Sequence, residues 1–495
     1  QPQGHLETLT RYHGESMQSI TRRRFLEDSM LAAAAAAAGV ALPTGAAEKA
    51  TGSANNRIRA AILGCRIRGK QHAQELGRLR DCEIAFVCDP DRDLANELAA
   101  AVEKQQGIAP KAVQDMRRVF DDRTVDAVFV AAPNHWHALA AIWAMQAGKE
   151  VYVEKPVSHN VGEGRRIVQV ARKTGRLCQG GTQNRSNGAL AAAIDYLKQG
   201  KLGEVKLARS IVYGGRSSIG GPGTYEVPAN VDYSLWAGPA PMSPLTRPQF
   251  HYDWHWFWET GNGELGNNNI HSLDICRWGR LGVSGLGRAV LSCGGRLGYT
   301  DAGQTPNTPV CVFDFGDQTI VSETRGLKTA PFRFKDGWIF EGSKGFIVGT
   351  SLFDPDGKLV STFSGKSESH FANFLKAVRS GNRADLNADI LEGHQSTALC
   401  HIGNISWRLG RAVSPGELRE ELGKLKVHDN VRKTFDRTVE HLRENKVDLE
   451  QTKLTLGALL HPDPEREAFV GDPRADAFLT REYRKPFVVP GEAEI

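Results

Sequence analysis

Ile58-Arg59-Ala60-Ala61-Ile62-Leu63 runs into Gly64-Cys65-Arg66-Ile67-Arg68-Gly69 and then into Lys70-Gln71-His72-Ala73-Gln74-Glu75-Leu76. The first six residues read as a buried strand and the last seven as a helix. Strand, glycine turn and helix in this order open a dinucleotide-binding unit. A pyrophosphate would sit at the helix N-terminus, where free N–H groups and the helix dipole favour anions. Gly64 permits the tight turn and Gly69 the close packing of helix on strand. Arg66 stands where the motif has its middle glycine, and its side chain obstructs a close approach of backbone to phosphate. The alternative is that Arg66 or Arg68 contacts the phosphates directly.

The next strand, Glu83 to Cys88, ends in Asp89-Pro90-Asp91. Asp89 lies at the distance expected for the carboxylate that accepts bonds from the adenosine ribose hydroxyls. A carboxylate there favours NAD, because it repels a 2′-phosphate, while Arg92 nearby keeps NADP open. Val125 to Ala132 reads as a further strand, and Pro133-Asn134-His135-Trp136-His137 opens a helix that runs through Ala147-Gly148. Val151-Tyr152-Val153 is a short strand stopped by Glu154-Lys155-Pro156, since proline cannot donate to a ladder and pushes its predecessor out of helical space. Lys155 is thereby held at the carboxyl end of a strand, the edge where open α/β sheets bind ligands. An ammonium in that place is a candidate proton donor and acceptor. A helix over 163–174 leads to Leu177 through Gln183. This alternation predicts a Rossmann doubly wound parallel sheet.

Three stretches together resemble the Gfo/Idh/MocA family of nicotinamide-dependent oxidoreductases: the glycine turn ending in Gly69 with His72, Ala131-Ala132-Pro133-Asn134 with His137, and Glu154-Lys155-Pro156. The likeness covers residues 57 to about 410. It implies that Lys155 is a catalytic acid/base and that Pro133, Asn134 and Glu154 lie near the nicotinamide end. The cofactor-binding set expected on both grounds is Gly64, Arg66, Ile67, Arg68, Gly69, Asp89, Ala132, Pro133, Asn134, His137, Glu154, Lys155 and Gln183.

From Lys201 the pattern changes. After a helix over 189–199, strand-like runs at 205–214, 289–299, 308–327 and 332–350 are joined by turns such as Phe315-Gly316-Asp317 and Pro355-Asp356-Gly357. They predict a C-terminal α+β domain with a large, mostly antiparallel sheet, which the resemblance makes a substrate and oligomer domain. Between the first two runs, His251-Tyr252-Asp253-Trp254-His255-Trp256-Phe257-Trp258-Glu259 concentrates aromatic side chains. Aromatic faces with polar tips suit the apolar faces and hydroxyls of a sugar. Trp254, His255 and Trp256 are the expected substrate contacts; a core cluster beneath a loop is the competing reading.

Gly263 to Asp274 reads as a glycine turn into a helix, with Asn267, His271 and Asp274 on one face. It looks like the family's second signature, in which an aspartate four residues before the histidine joins the lysine and histidine in catalysis. Here that place holds Asn267, which bonds a hydroxyl but cannot take its proton. Lys155 and His271 are therefore the expected acid/base pair, with Asn267 and His271 also touching substrate. A His/Glu metal site at Glu259 lacks a spacing signature, so no metal is expected.

The 495 residues carry a net charge of +5 with no basic block, which gives no nucleic-acid footprint. Eight cysteines without a Cys-x-x-Cys pair read as reduced core residues. Thr21-Arg22-Arg23-Arg24-Phe25-Leu26, an alanine run from Ala32 to Ala38 and small residues to Ala47 resemble a twin-arginine export signal. The run is too short and alanine-rich to span a bilayer well. Met17 is the expected natural start, with residues 1–16 an upstream extension. The expected organisation is 1–47 signal peptide, 48–56 linker, 57–184 Rossmann domain, 185–366 substrate and oligomerisation domain, 367–410 helices returning to the Rossmann domain, and 411–495 a C-terminal extension of polar helix and coil.

The function expected is that of an NAD(P)-dependent oxidoreductase of CH–OH groups, exported to the periplasm and passing hydride between nicotinamide and a sugar or polyol derivative. It would be a homo-oligomer, dimer or tetramer. Free NAD is scarce outside the cytoplasm, which raises a second reading: a redox-neutral glycosidase or lyase that oxidises its substrate transiently on retained NAD. The departures at Arg66 and Asn267 raise a third, a non-catalytic sugar-binding protein.

Overall fold

The computed structural model describes residues 57–279, 285–329, 336–463 and 465–495. The export signal and the linker expected at 1–56 lie outside the described residues.

Six strands form the first sheet: β1 (Ile58–Leu63), β2 (Cys82–Cys88), β3 (Lys111–Val113), β4 (Ala127–Val130), β5 (Glu150–Val153) and β6 (Cys178–Gly180). Their order is β3-β2-β1-β4-β5-β6, and every pair is parallel. The helices are α1 (Ile67–Leu76), α2 (Arg92–Gln106), α3 (Arg117–Asp121), α4 (Asn134–Gln146) and α5 (Val161–Thr174). Side chains alternate across a strand, so β4 sends Val128 and Val130 into the core shared with α4 and α5, and Phe129 into the opposite core with α1 and α2. Strand order reverses between β1 and β4. The carboxyl ends of these two strands therefore open a crevice, as in other doubly wound sheets.

The second sheet has ten strands: β7 (Val205–Tyr213), β8 (Ala289–Gly294), β9 (Val310–Asp314), β10 (Thr319–Arg325), β11 (Asp336–Gly342), β12 (Gly345–Val348), β13 (Ser351–Phe353), β14 (Leu359–Thr362), β15 (Arg411–Val413) and β16 (Leu454–Leu456). Their order is β14-β13-β12-β11-β7-β10-β9-β8-β16-β15. Only β7 and β10 run parallel; the other pairings are antiparallel. The run expected at 308–327 is a hairpin, β9 and β10, that turns at Phe315-Gly316-Asp317, where Gly316 has φ +87°.

Helices α6 (Gly188–Lys198), α7 (Ile270–Gly279), α8 (His370–Ser380), α9 (Ile390–Arg408), α10 (Pro415–Leu422) and α11 (Val431–Glu444) complete the elements used below. One face of the second sheet packs on α6, α7 and α9; the other is covered by α10 and α11. Helix α8 returns to the first sheet, setting Phe371 against Tyr152 and Phe374 against Phe129 at ring distances of 5.0 and 5.4 Å. The segment from 411 is more than polar helix and coil. It supplies β15 and β16 to the sheet, and its Leu418, Leu422, Val431 and Phe435 are buried against β7, β9 and β10. Farther on, Phe487 meets Trp136 at 5.4 Å, and Arg484 donates to the Gly238 carbonyl at 3.0 Å.

All eight cysteines are free thiols and seven are buried. Among the described residues no helix is long and apolar enough to cross a membrane.

Candidate active site

The site begins at the turn after β1. Gly64 has φ +93°, and a Cβ there would stand 2.6 Å from the Ala131 carbonyl oxygen, so glycine alone fits between β1 and the end of β4. A Cβ on Gly69 would stand 1.8 Å from the Gly64 carbonyl oxygen. Helix α1 thereby seats directly on the turn. No side chain caps its N-terminus, which leaves its first N–H groups for a ligand.

Asp89 follows β2 and closes the turn from the side. Its Oδ2 accepts from the Cys65 amide at 2.8 Å and its Oδ1 from the Asp91 amide at 2.9 Å. Burial pushes its carboxyl up to about 6, against the two amide bonds that favour the charged form. Asp91 caps α2 and binds the far side of the cleft: its carboxylate accepts from Asn230 at 2.6 Å and pairs with His251 Nε2 at 2.8 Å. Arg92 is exposed and paired with Asp93 at 3.6 Å.

At the other end, Glu154 and Lys155 follow β5. Glu154 is buried and accepts from Arg68 Nε at 2.7 Å and His72 Nε2 at 3.0 Å. Burial alone would raise its pKa, but the Arg68 guanidinium and the His72 bond outweigh it and hold the carboxyl well below the usual range. His72 itself is pushed down by burial. Lys155 Nζ donates to the Asn267 carbonyl at 2.7 Å. Burial lowers the lysine pKa, opposed by Glu154 and helped by Arg68. His137 stands between the Ala132 and Pro156 carbonyls, at 2.7 and 2.6 Å, and ties the ends of β4 and β5 together.

A cleft of about 240 Å³ joins these two ends. From the predicted cofactor set, Gly64, Arg66, Ile67, Arg68, Asp89, Ala132, Pro133, Asn134, His137, Glu154 and Lys155 line it. Gly69 and Gln183 stand off it: Gly69 is buried under the Gly64 carbonyl, and Gln183 lies in a short turn beside the Tyr152 hydroxyl, behind Glu154. Trp254, His255 and Asn267 line the opposite wall.

Trp256 and His271 do not line the cleft. Trp256 is buried under the Arg216 guanidinium at 5.6 Å. His271 lies in the first turn of α7, behind the π-helical turn Leu265–Asn269 and near the charges of Lys155, Glu154 and Arg68. Burial, with the nearby Lys155 charge, pushes His271 down to about 3. Asp274 pairs with Arg185 at 2.8 Å and accepts from Ser396 at 2.6 Å, a buried structural role.

The opposite wall also holds Trp236, which local sequence pattern does not single out, and His251 and Tyr252, which open the aromatic stretch but were not among its expected substrate contacts. Arg66 is not aimed at the turn. Its Nη1 donates to the His251 carbonyl across the cleft at 2.9 Å. Among the described residues no cluster of His, Cys, Asp or Glu is arranged to hold a metal ion.

A dinucleotide fits this donor set: uncapped helix amides beside a side-chain-free turn for phosphates, a buried carboxylate for ribose hydroxyls, and a lysine at the far end.

Comparison with known proteins agrees. Residues 58–182 match the model for the oxidoreductase family's NAD-binding Rossmann fold, and 215–437 match that for its C-terminal alpha/beta domain. The scyllo-inositol 2-dehydrogenase (NAD(+)) of Bacillus subtilis is 29% identical over 150 residues, 30% of this chain and 42% of that protein. Glycosyl hydrolase family 109 protein 1 of Akkermansia muciniphila is 29% identical over 127 residues, 25% of this chain and 26% of that protein. The chain thus spans less than half the length of either relative. A levoglucosan dehydrogenase solved with NADH and levoglucosan shares the fold with a TM-score of 0.53 at 17% identity, covering 70% of this chain and 95% of that one. The chain belongs to the Gfo/Idh/MocA family of oxidoreductases, with an NAD-binding Rossmann fold at residues 58–182.

Proposed function

We propose that the protein is an NAD-dependent oxidoreductase acting on a CH–OH group of a sugar or polyol. The observation that carries this reading is one cleft with the glycine turn and Asp89 at one end, Lys155 and Asn267 at the other, and an aromatic wall opposite. Bound NAD supplies a hydride acceptor at its nicotinamide. The chain's own residues do the rest. The α1 amides and Asp89 fix the adenosine and phosphate end, and the Asn267 carbonyl aims the Lys155 amine. Lys155 takes the hydroxyl proton as hydride leaves the same carbon, and burial, by lowering the lysine pKa, favours the neutral amine that this step needs. The named activities of the B. subtilis relative and the levoglucosan enzyme support the substrate class. Mixing the holoenzyme with a panel of sugars and polyols and following NADH absorbance tests the reading; no reduction by any of them rejects it.

A second reading, redox-neutral cleavage of a glycoside on retained NAD, is favoured by the contacts over the adenosine end. Asp232 N donates to the Pro90 carbonyl at 2.9 Å, and Arg92 N to the Asn230 carbonyl at 3.0 Å. With the Asp91–His251 and Arg66–His251 bonds, they strap residues 230–251 across the crevice. A strap of this kind slows cofactor exchange. The readings separate on whether turnover consumes NAD in proportion to product.

We further propose export by the twin-arginine route, on the strength of Arg22-Arg23 ahead of the alanine run. Retention of the Arg22→Lys/Arg23→Lys variant in the cytoplasm is the expected result of cell fractionation, and periplasmic accumulation the contrary one. A homo-oligomer is proposed from edge strand β14, where Leu359 and Val360 are 54% and 59% exposed. Light scattering that gives a monomer mass rejects it.

A further inference from the structure

His255 is a titratable side chain on the wall opposite Lys155, and its hydrogen bonding leaves it one chemical option. Its Nδ1 lies 2.6 Å from the Tyr252 carbonyl oxygen. A carbonyl only accepts, so Nδ1 carries the ring proton and Nε2 is bare in the neutral ring. The ring is stacked on Trp254 at 3.6 Å and 20°, which fixes its plane. Among the described residues Nε2 has no hydrogen-bond partner, and His255 lines the cleft with Lys155 and Asn267.

We propose that His255 is a specificity-determining residue, whose Nε2 accepts a hydrogen bond from a substrate hydroxyl and so selects sugars or polyols that present a free O–H at that point. This deepens the oxidoreductase reading above and rests on it.

Two further observations support the assignment. The ring stays an acceptor across the working pH range, because burial pushes it down to about 3, helped by the positive charges of Lys155, Arg216 and Arg66 that surround it. The Tyr252 bond opposes this shift without reversing it. Opposite it, the neutral Lys155 amine takes the proton of the reacting hydroxyl. Two acceptors facing each other across the cleft fit two hydroxyls, one giving its proton to Lys155 and the other donating a hydrogen bond to Nε2. A ligand with an ether or a bare methylene at that point leaves Nε2 desolvated and unpaired, which costs more than the bond is worth. This is how a polar site rejects an analogue lacking one hydroxyl.

The test uses the full-length holoenzyme and three probes, levoglucosan, myo-inositol and methyl α-glucoside, each with its singly O-methylated analogues. The readout is NADH formation in a single turnover. For the best parent compound, wild-type protein is expected to reject one analogue by on the order of 10²-fold. In His255→Ala most of that discrimination disappears because the parent slows, with NAD affinity unchanged. His255→Gln, which keeps an acceptor oxygen, retains part of it. Equal discrimination in His255→Ala and wild type overturns the proposal. Nitrogen NMR of ¹⁵N-histidine protein, assigned with His255→Gln, gives a readout that needs no turnover. A bare Nε2 at about pH 7 supports the proposal, and a proton on Nε2 overturns it. If no probe reduces the cofactor in wild type, the oxidoreductase reading fails, and the NMR result alone decides the state of His255.

Discussion

The two walls of the cleft are made in different ways. The wall of the parallel sheet comes mostly from residues one to seven positions beyond the ends of β1, β2, β4 and β5. Each is placed by a strand, and its backbone by the ladder. The facing wall comes from the long connection between β7 and β8, through a 3₁₀ turn at Asp253–Trp256 and a π turn at Leu265–Asn269. Its positions are set by contacts with the first wall, such as Asp91 with His251 and Lys155 with Asn267. The first wall is a property of the sheet, and the second exists only when packed against it.

The largest expected effect on this contrast is at the joint beneath the second wall. The Arg185–Asp274 pair is buried on both sides and holds α7 to the turn before α6. Asp274→Ala leaves a buried guanidinium without its main partner and should cost about 3–5 kcal/mol in urea unfolding. A loss below 1 kcal/mol would show that the second wall does not depend on this joint.

Gly64→Val attacks the first wall. A side chain at φ +93° facing the Ala131 carbonyl should cost about 1–3 kcal/mol in strain and depress NAD affinity by the same order. Calorimetry that finds unchanged affinity would remove the turn from the site.

Asp89 gives the first wall a pH dependence. The ionised carboxylate accepts ribose hydroxyls, the protonated one does not accept as well, and its pKa is raised to about 6. NAD affinity should therefore fall as pH drops through about 6, by at most tenfold per unit, and level off at the weaker affinity of the protonated form. Asp89→Asn should flatten that profile, and a profile shared by both proteins would exclude Asp89 as its source.

The smallest effect concerns the strap. Arg66→Ala removes one hydrogen bond between the walls, worth about 0.5–1.5 kcal/mol. NADH release in stopped flow should speed up by no more than about tenfold, without loss of affinity beyond that. A larger fall in affinity would return Arg66 to the phosphates.

The same contrast explains how much was legible in the sequence. Gly64, Gly69, Asp89 and Lys155 are read from strand–turn–helix order, because a local pattern decides where they go. The hairpin turn at Phe315-Gly316-Asp317 was legible for the same reason. Trp254, His255 and Trp256 are neighbours in sequence, yet only the first two line the cleft, since a 3₁₀ turn points the third under Arg216. Trp236 carries no local signal, and nothing local places His251, within its aromatic stretch, against the first wall. Their partners, Trp136 and Asp91, lie about a hundred residues or more away. The pairing of β15 and β16 with the main sheet is equally non-local, and the polar residues around it masked two short strands.

In the proposed mechanism both walls meet at Lys155, which moves a proton as hydride leaves a sugar or polyol. A single-turnover comparison of wild type and Lys155→Ala, each loaded with NAD and mixed with the best substrate of the panel, tests it most directly. Wild type should form NADH in one rapid phase equal to the bound cofactor, and the variant should bind NAD as before but form NADH roughly 10²–10⁴-fold more slowly. NADH formation at the wild-type rate in folded Lys155→Ala would contradict it.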